Sequence, residues 1–314
     1  MVRKTAAEST SSLPVMPVVL NVGAGTDDKS HAAEHLADLF SSAGMRADVR
    51  MAESGAALAE LARAAAAEGP PMLVAGGGDG TISAVAAELI DRPTVLGVLP
   101  LGTLNHFAKD LGIPVYVEQA VRILREGRVA RIDVGEVNGR IFLNNSSLGL
   151  YPEIVRQREE QRQRLGRGKW HAMVWALLGA LRRYPFLSVR LDADGEVLAR
   201  RTPFVFIGNN EYQMETFQIG ARACLDRGLL SLYVAHHTGR LGLLRLAVRA
   251  LFGRLAQASD FDSVCAREIL VETRQPRVRV ATDGEVTMME SPLRYRVRPG
   301  ALRVAVPAGD RPSA

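Results

Sequence analysis

The sequence predicts two domains of different class, a parallel α/β domain followed by an antiparallel all-β domain. Three observations carry this. The chain has 314 residues, 47% of them hydrophobic and 23% charged, which is enough for two modest cores. Up to residue 131, strand-length apolar runs alternate with helix-period segments, as in a parallel sheet covered on both faces. Beyond residue 131, short alternating segments are bounded by turn dipeptides, the texture of antiparallel β structure.

The elements follow in order. Residues 1–13 are small and polar and read as a disordered tail; Pro14 and Pro17 then lead into a strand at Val18, Val19 and Leu20. Residues 21–25 are turn-like, and Ser30 can cap a helix in which His35, Leu36, Leu39 and Phe40 recur at helical spacing. The unit repeats, with strands predicted at 45–51, 72–75 and 94–99 and helices at 58–67, 82–90, 104–111 and 117–126. In the second half, strands are predicted at 132–137, 140–143, 187–191, 203–207, 230–234 and 269–272, and helical insertions at 170–184 and 241–255. Asn138-Gly139, Asp194-Gly195 and Asp283-Gly284 supply hairpin chemistry.

Composition narrows the function classes. Cys224 and Cys265 are the only cysteines and read as buried reduced thiols, not as a disulfide framework or a zinc site. The N-terminus has Glu8 and a run of hydroxyl residues where a signal peptide needs an apolar core. The clean apolar run 172–181 is far shorter than the ~20 residues of a membrane span. A cytoplasmic protein is expected. Net charge of +5 and a pI near 9.5 favour an anionic partner. Aromatics are 5% of the chain and do not interleave with the basic clusters, so nucleic acid is not the expected one. The basic run 156–169 and the amphipathic stretch 239–255, with Arg240, Arg245, Arg249 and Arg254, suit either an anionic membrane face or a solvated or docked helix. His31, Glu34 and His35 match a zinc peptidase spacing but lack a third ligand, and read as a solvated helix face.

The chemistry concentrates at Gly76-Gly77-Gly78-Asp79-Gly80-Thr81, where an apolar strand runs through glycines into a helix. Glycine lets backbone approach phosphate oxygens, and the helix start adds N–H donors and a positive dipole end. Asp79 fits such a site if it orients Mg²⁺, directly or through water; the alternative is a tight turn with Asp79 as a helix cap. The pattern is neither Gly-x-x-x-x-Gly-Lys-Ser/Thr nor Gly-x-Gly-x-x-Gly. Pro100-Leu101-Gly102-Thr103-Leu104-Asn105 repeats the layout after the next strand, so the two loops would face one crevice.

Together these segments resemble the catalytic domain of the diacylglycerol kinase and sphingosine kinase family, which carries Gly-Gly-Asp-Gly-Thr and then Pro-x-Gly-Thr-x-Asn. The bacterial soluble diacylglycerol kinase-like proteins are the nearest group; NAD kinases share only the first motif. Residues 21–25 resemble the family's first nucleotide loop, with Val22 for proline and Ala24 for serine. Residues 144–149 and Asp283-Gly284-Glu285 also fall in family order.

The resemblance implies a Rossmann-like parallel α/β nucleotide-binding domain at 14–131, rejoined by about 300–314, and an antiparallel β-sandwich domain at 132–299 on the acceptor side. It implies ATP and Mg²⁺, with Asn21, Gly25, Gly77, Gly78, Asp79, Gly80, Thr81, Thr103 and Asn105 at the nucleotide. Glu285 is the implied base, supported by Asp283, with Asp79 organising the metal. The implied reaction phosphorylates a lipid hydroxyl, first of all that of diacylglycerol, by a protein transiently at an anionic membrane surface; it admits a homodimer. A sphingoid-base kinase, an NAD-type kinase and a catalytically reduced regulatory protein are the alternatives. Four further positions depart from the family: Ser83 and Ala84 replace Asn and Glu, His106 replaces Asp, and Arg227 replaces the aspartate before Gly228 at a structural Mg²⁺ site, which either removes that metal or substitutes for it and leaves Asp226 as a displaced candidate ligand.

Overall fold

The computed structural model describes residues 15–21, 29–149, 187–211, 225–235 and 261–309. The tail 1–13, Gly25, Cys224, the basic run 156–169 and the helices predicted at 170–184 and 241–255 lie outside those residues.

The first half is β1 (Val15–Asn21), α1 (Lys29–Ser42), β2 (Arg46–Ala52), α2 (Gly55–Ala67), β3 (Met72–Gly77), α3 (Asp79–Ala87), β4 (Val95–Pro100), α4 (His106–Asp110) and α5 (Val117–Glu126). Its strands pair in parallel in the order β2-β1-β3-β4. The inner strands are continuous apolar runs because helices cover both faces, and Val18, Val19, Leu73, Val74, Ala75, Leu96 and Leu99 are all buried. The edge strand β2 is only partly buried. Gly77 and Pro100 are register partners at the carboxyl ends of β3 and β4, so the loops that follow open side by side. α4 is shorter than the 104–111 predicted, because Asn105 takes left-handed backbone angles at its start.

The second half is β5 (Arg128–Val137), β6 (Arg140–Phe142), β7 (Asn145–Gly149), β8 (Leu187–Ala193), β9 (Glu196–Thr202), β10 (Phe204–Asn209), β11 (Leu230–Ala235), β12 (Phe261–Ala266), β13 (Glu268–Thr273), β14 (Arg277–Thr282), β15 (Glu285–Glu290) and β16 (Leu293–Val306). Among the described residues a six-stranded antiparallel sheet runs β12-β11-β10-β7-β14-β15. It packs against the antiparallel part of a ten-stranded sheet through Leu148, Val205, Ile207, Leu232 and Val280 on one side and Val189, Leu191, Ile269 and Val271 on the other. The three Asx-Gly pairs close the hairpins β5–β6, β8–β9 and β14–β15 with both residues at positive φ, as a two-residue type I′ turn requires.

β16 joins the two halves. It pairs antiparallel with β13 and β5, and in parallel with β4 through Val304 and Leu96. Its first part puts Leu293, Tyr295 and Val297 into the sandwich core; its last part puts Leu302, Val304 and Val306 into the α/β core. Between them, Arg298 is ion-paired with Asp91 of the first half and Glu136 of the second. One cysteine departs from expectation: Cys265 is exposed, because on edge strand β12 its neighbours Val264 and Ala266 take the inward positions.

Candidate active site

The two glycine loops are built as one piece. Leu101 N–H donates to Gly77 O (3.1 Å), and a Cβ on Gly102 would sit 2.5 Å from Gly78 Cα, so only glycine allows this approach. Asn105 is buried and spends its side chain on its own loop: Oδ1 accepts from Gly102 N–H (3.0 Å), and Nδ2 donates to Pro100 O (3.2 Å) and Gly102 O (2.8 Å). Asp79, the first residue of α3, crosses to the second loop. Its Oδ2 accepts from His106 N–H (3.1 Å) and its Oδ1 from Phe107 N–H (2.9 Å). Asp79 therefore caps a helix, as the alternative reading had it, but the helix is α4 and not its own. α3 itself has Gly78 at its N-cap position, which leaves its first amides without a side-chain cap.

The sandwich supplies the opposite wall. Asp283, at positive φ in the β14–β15 turn, turns its carboxyl inward. Oδ2 accepts from Leu143 N–H (2.7 Å) and from the Ser83 hydroxyl (2.5 Å); Oδ1 accepts from the N–H groups of Asn144 (2.8 Å) and Asn145 (3.1 Å). Burial pushes this carboxyl above the ordinary carboxylate range, against the downward pull of the Ser83 hydroxyl and the three amides. The turn is thereby pinned to α3 through Ser83, one of the departures from the family pattern. Glu285 follows the turn and is exposed; its Oε2 receives Arg140 Nη2 at 2.6 Å, and its Oε1 lies 3.6 Å from where a Cβ on Gly80 would be. A carboxylate from the second domain thus faces the helix start of the first.

Other expected residues are distributed more loosely. Asn21 ends β1 and its Nδ2 donates to Thr81 Oγ1 (3.3 Å), holding a buried threonine beneath the loop. Thr103 is exposed between the exposed Leu101 and Leu104. Asp226 is exposed, and among the described residues no three His, Cys, Asp or Glu side chains gather as a metal would need. Beside it Arg227 pairs with Glu211 (2.8 Å), and the loop is held by Asp133, whose buried carboxylate accepts from Gly228 N–H (2.6 Å) and Gly300 N–H (2.9 Å). Among the described residues nothing joins Asp226 to complete a metal site. A Mg²⁺ carried by nucleotide phosphates fits the first loop better: each Asp79 oxygen accepts one amide and keeps a lone pair for a metal-bound water. Arg140 and Asp133 were missed in the sequence, where nothing local distinguishes them from other strand residues.

Comparison with known proteins agrees with this construction. The diacylglycerol kinase catalytic domain family matches residues 15–137, and the YegS C-terminal NAD kinase beta sandwich-like domain matches residues 151–306. A "probable lipid kinase YegS-like" protein of Pseudomonas aeruginosa is 32% identical over 282 residues, covering 85% of this chain and 87% of the relative. A protein of the same name from Chromohalobacter salexigens is 30% identical over 274 residues, with 85% and 86% coverage. A crystal structure of a diacylglycerol kinase from Bacillus anthracis superposes with a TM-score of 0.69 at 22% identity, covering 93% of this chain and 96% of that one, a likeness of fold. The paired glycine loops, the sandwich that brings Glu285 to them and these relatives agree, and the chain belongs to the YegS-like lipid kinases of the diacylglycerol kinase family.

Proposed function

We infer that the protein transfers the γ-phosphoryl group of ATP to a lipid hydroxyl, with diacylglycerol as acceptor and phosphatidic acid as product. The observation that carries this is the approach of Glu285, from the sandwich, to Gly80 at the start of α3. A phosphate cradle alone fits any nucleotide protein; a carboxylate held across from it gives the acceptor proton somewhere to go. The amides at the start of α3 and the backbone around Gly78 and Gly102 bind phosphate oxygens. Bound with the nucleotide, Mg²⁺ would neutralise phosphate charge beside Asp79. The acceptor oxygen bonds to the γ-phosphorus as the bond to the bridging oxygen breaks, ADP departs, and the hydroxyl proton passes to Glu285. No helix among the described residues is long and apolar enough to cross a membrane. In this reading the acceptor is met by transient attachment at an anionic cytoplasmic membrane face, which the net charge of +5 favours.

The test incubates purified protein with labelled ATP, Mg²⁺ and vesicles containing diacylglycerol, a sphingoid base or neither, with NAD added in a separate arm. Label in phosphatidic acid is expected. Label in NAD and in no lipid would sink the reading, and ATP binding without transfer to any acceptor would favour a regulatory protein.

A further inference from the structure

Arg140 opens β6 directly after the Asn138-Gly139 turn, and its Nη2 lies 2.6 Å from Glu285 Oε2. The partners come from different sheets, β6 from the ten-stranded one and β15 from the six-stranded one, so the ion pair spans the edge of the sandwich. That edge is next to α3, against which β6 packs. The Arg140 and Glu285 side chains are 35% and 61% exposed, and an exposed pair of this kind contributes little to stability. Its effect is on direction. Glu285 is the first residue of an edge strand and open to solvent, and the Arg140 ion pair is the contact that limits its rotamers. The guanidinium takes one carboxylate oxygen and leaves Oε1 on the side of Gly80.

We propose that Arg140 is a positioning residue that aims Glu285 at the acceptor hydroxyl. This rests on the kinase reading. In the transfer step the acceptor oxygen gains the phosphoryl group, the nucleoside diphosphate leaves with the electron pair of the broken bond, and the hydroxyl proton goes to Glu285 Oε1. Arg140 keeps its own protons throughout. The arrangement divides the work on one turn: the Asp283 contacts fix the backbone, and Arg140 fixes the side chain that follows it. Lysine would keep the charge but not the planar fork that restricts the carboxylate.

The test compares wild type, Arg140→Ala, Arg140→Lys, Glu285→Gln and the double variant Arg140→Ala/Glu285→Gln in steady-state assays with labelled ATP, Mg²⁺ and diacylglycerol vesicles. Arg140→Ala is expected to lower kcat about tenfold or more while the KM for ATP moves less than about threefold, as for a misaimed group. In the Glu285→Gln background the same change is expected to cost less than about twofold, since the two residues act as a unit. Arg140→Lys should lie between wild type and alanine. An equal loss in both backgrounds, or an unchanged kcat, would overturn the proposal. Crystal structures of wild type and Arg140→Ala add a readout that needs no turnover, with Glu285 expected to leave Gly80 only in the variant. A wild type that labels no lipid counts against the kinase reading alone, whereas a Glu285 unmoved in Arg140→Ala overturns the positioning role.

Discussion

Three carboxylates carry most of the site, and they differ in what surrounds them. Asp79 spends an acceptor position of each oxygen on the start of α4, so Asp79→Ala should do two things. It should abolish turnover, and it should lower stability by about 1 kcal/mol, read from urea unfolding, because two helix amides lose their cap. Glu285 touches only Arg140 among these contacts and is exposed. Glu285→Gln should therefore leave the unfolding midpoint in place while turnover falls by roughly 10²–10⁴, the usual contribution of a general base. Asp283 is the third case. Its value is raised in the folded protein, so its contribution is fully present below the ordinary carboxylate range and is lost as pH rises through the raised value. The stability of wild type relative to Asp283→Asn should therefore improve as pH falls from neutral toward about 4; a difference that is flat, or moves the other way, would contradict this. The residue types were legible in the sequence and their duties were not. Asp79 meets residues 27 and 28 positions away and Asp283 meets residues about 140 and 200 positions away, contacts that no local pattern encodes.

At the level of elements, local chemistry accounts for most boundaries. Ser54 caps α2 by accepting from Ala57 N–H (3.2 Å), far from the glycine loops in the chain. Ser54→Ala should cost about 1 kcal/mol of stability and leave turnover unchanged, a control for cap loss without site damage. Gly102→Ala should do the reverse of a neutral change. Its methyl group would fall on the backbone of Gly78, so the two loops must separate, with a loss of about 1–3 kcal/mol typical of overpacking and a rise in the KM for ATP. The Asx-Gly turns and the apolar parallel strands could be read directly, since positive φ and two-sided burial each leave a compositional mark. Strands β9 and β15 could not. Their exposed positions hold charged residues and their apolar ones are at most partly buried, so pairing in a sheet, not hydrophobicity, makes them strands.

For the whole molecule, β16 is the decisive element, because one strand contributes to both cores. Leu302, fully buried in the α/β core, sits on that strand, and Leu302→Ala should cost about 2–5 kcal/mol. Since β16 pairs with β13 at its start and with β4 near its end, calorimetry should record one transition in both proteins, shifted down in the variant. Two separable transitions would show that the halves unfold independently.

By itself the sequence determined the class of each half, the positions of the turns and the glycine loops that mark a nucleotide cradle, because these rest on periodicity and on backbone angles that few residues tolerate. It also contained Asp283-Gly284-Glu285, though only a resemblance gave that turn a purpose. The tertiary structure decided what surrounds each carboxylate. It set Asp79 under α4, pinned Asp283 to Ser83 and the 143–145 backbone, and gave Glu285 an arginine partner beside Gly80. Hydrogen bonds and ion pairs across such sequence distances form only once sheets have brought their strands together, which is why the same residue type becomes cap, buried anchor or exposed ion-pair partner only in the folded protein.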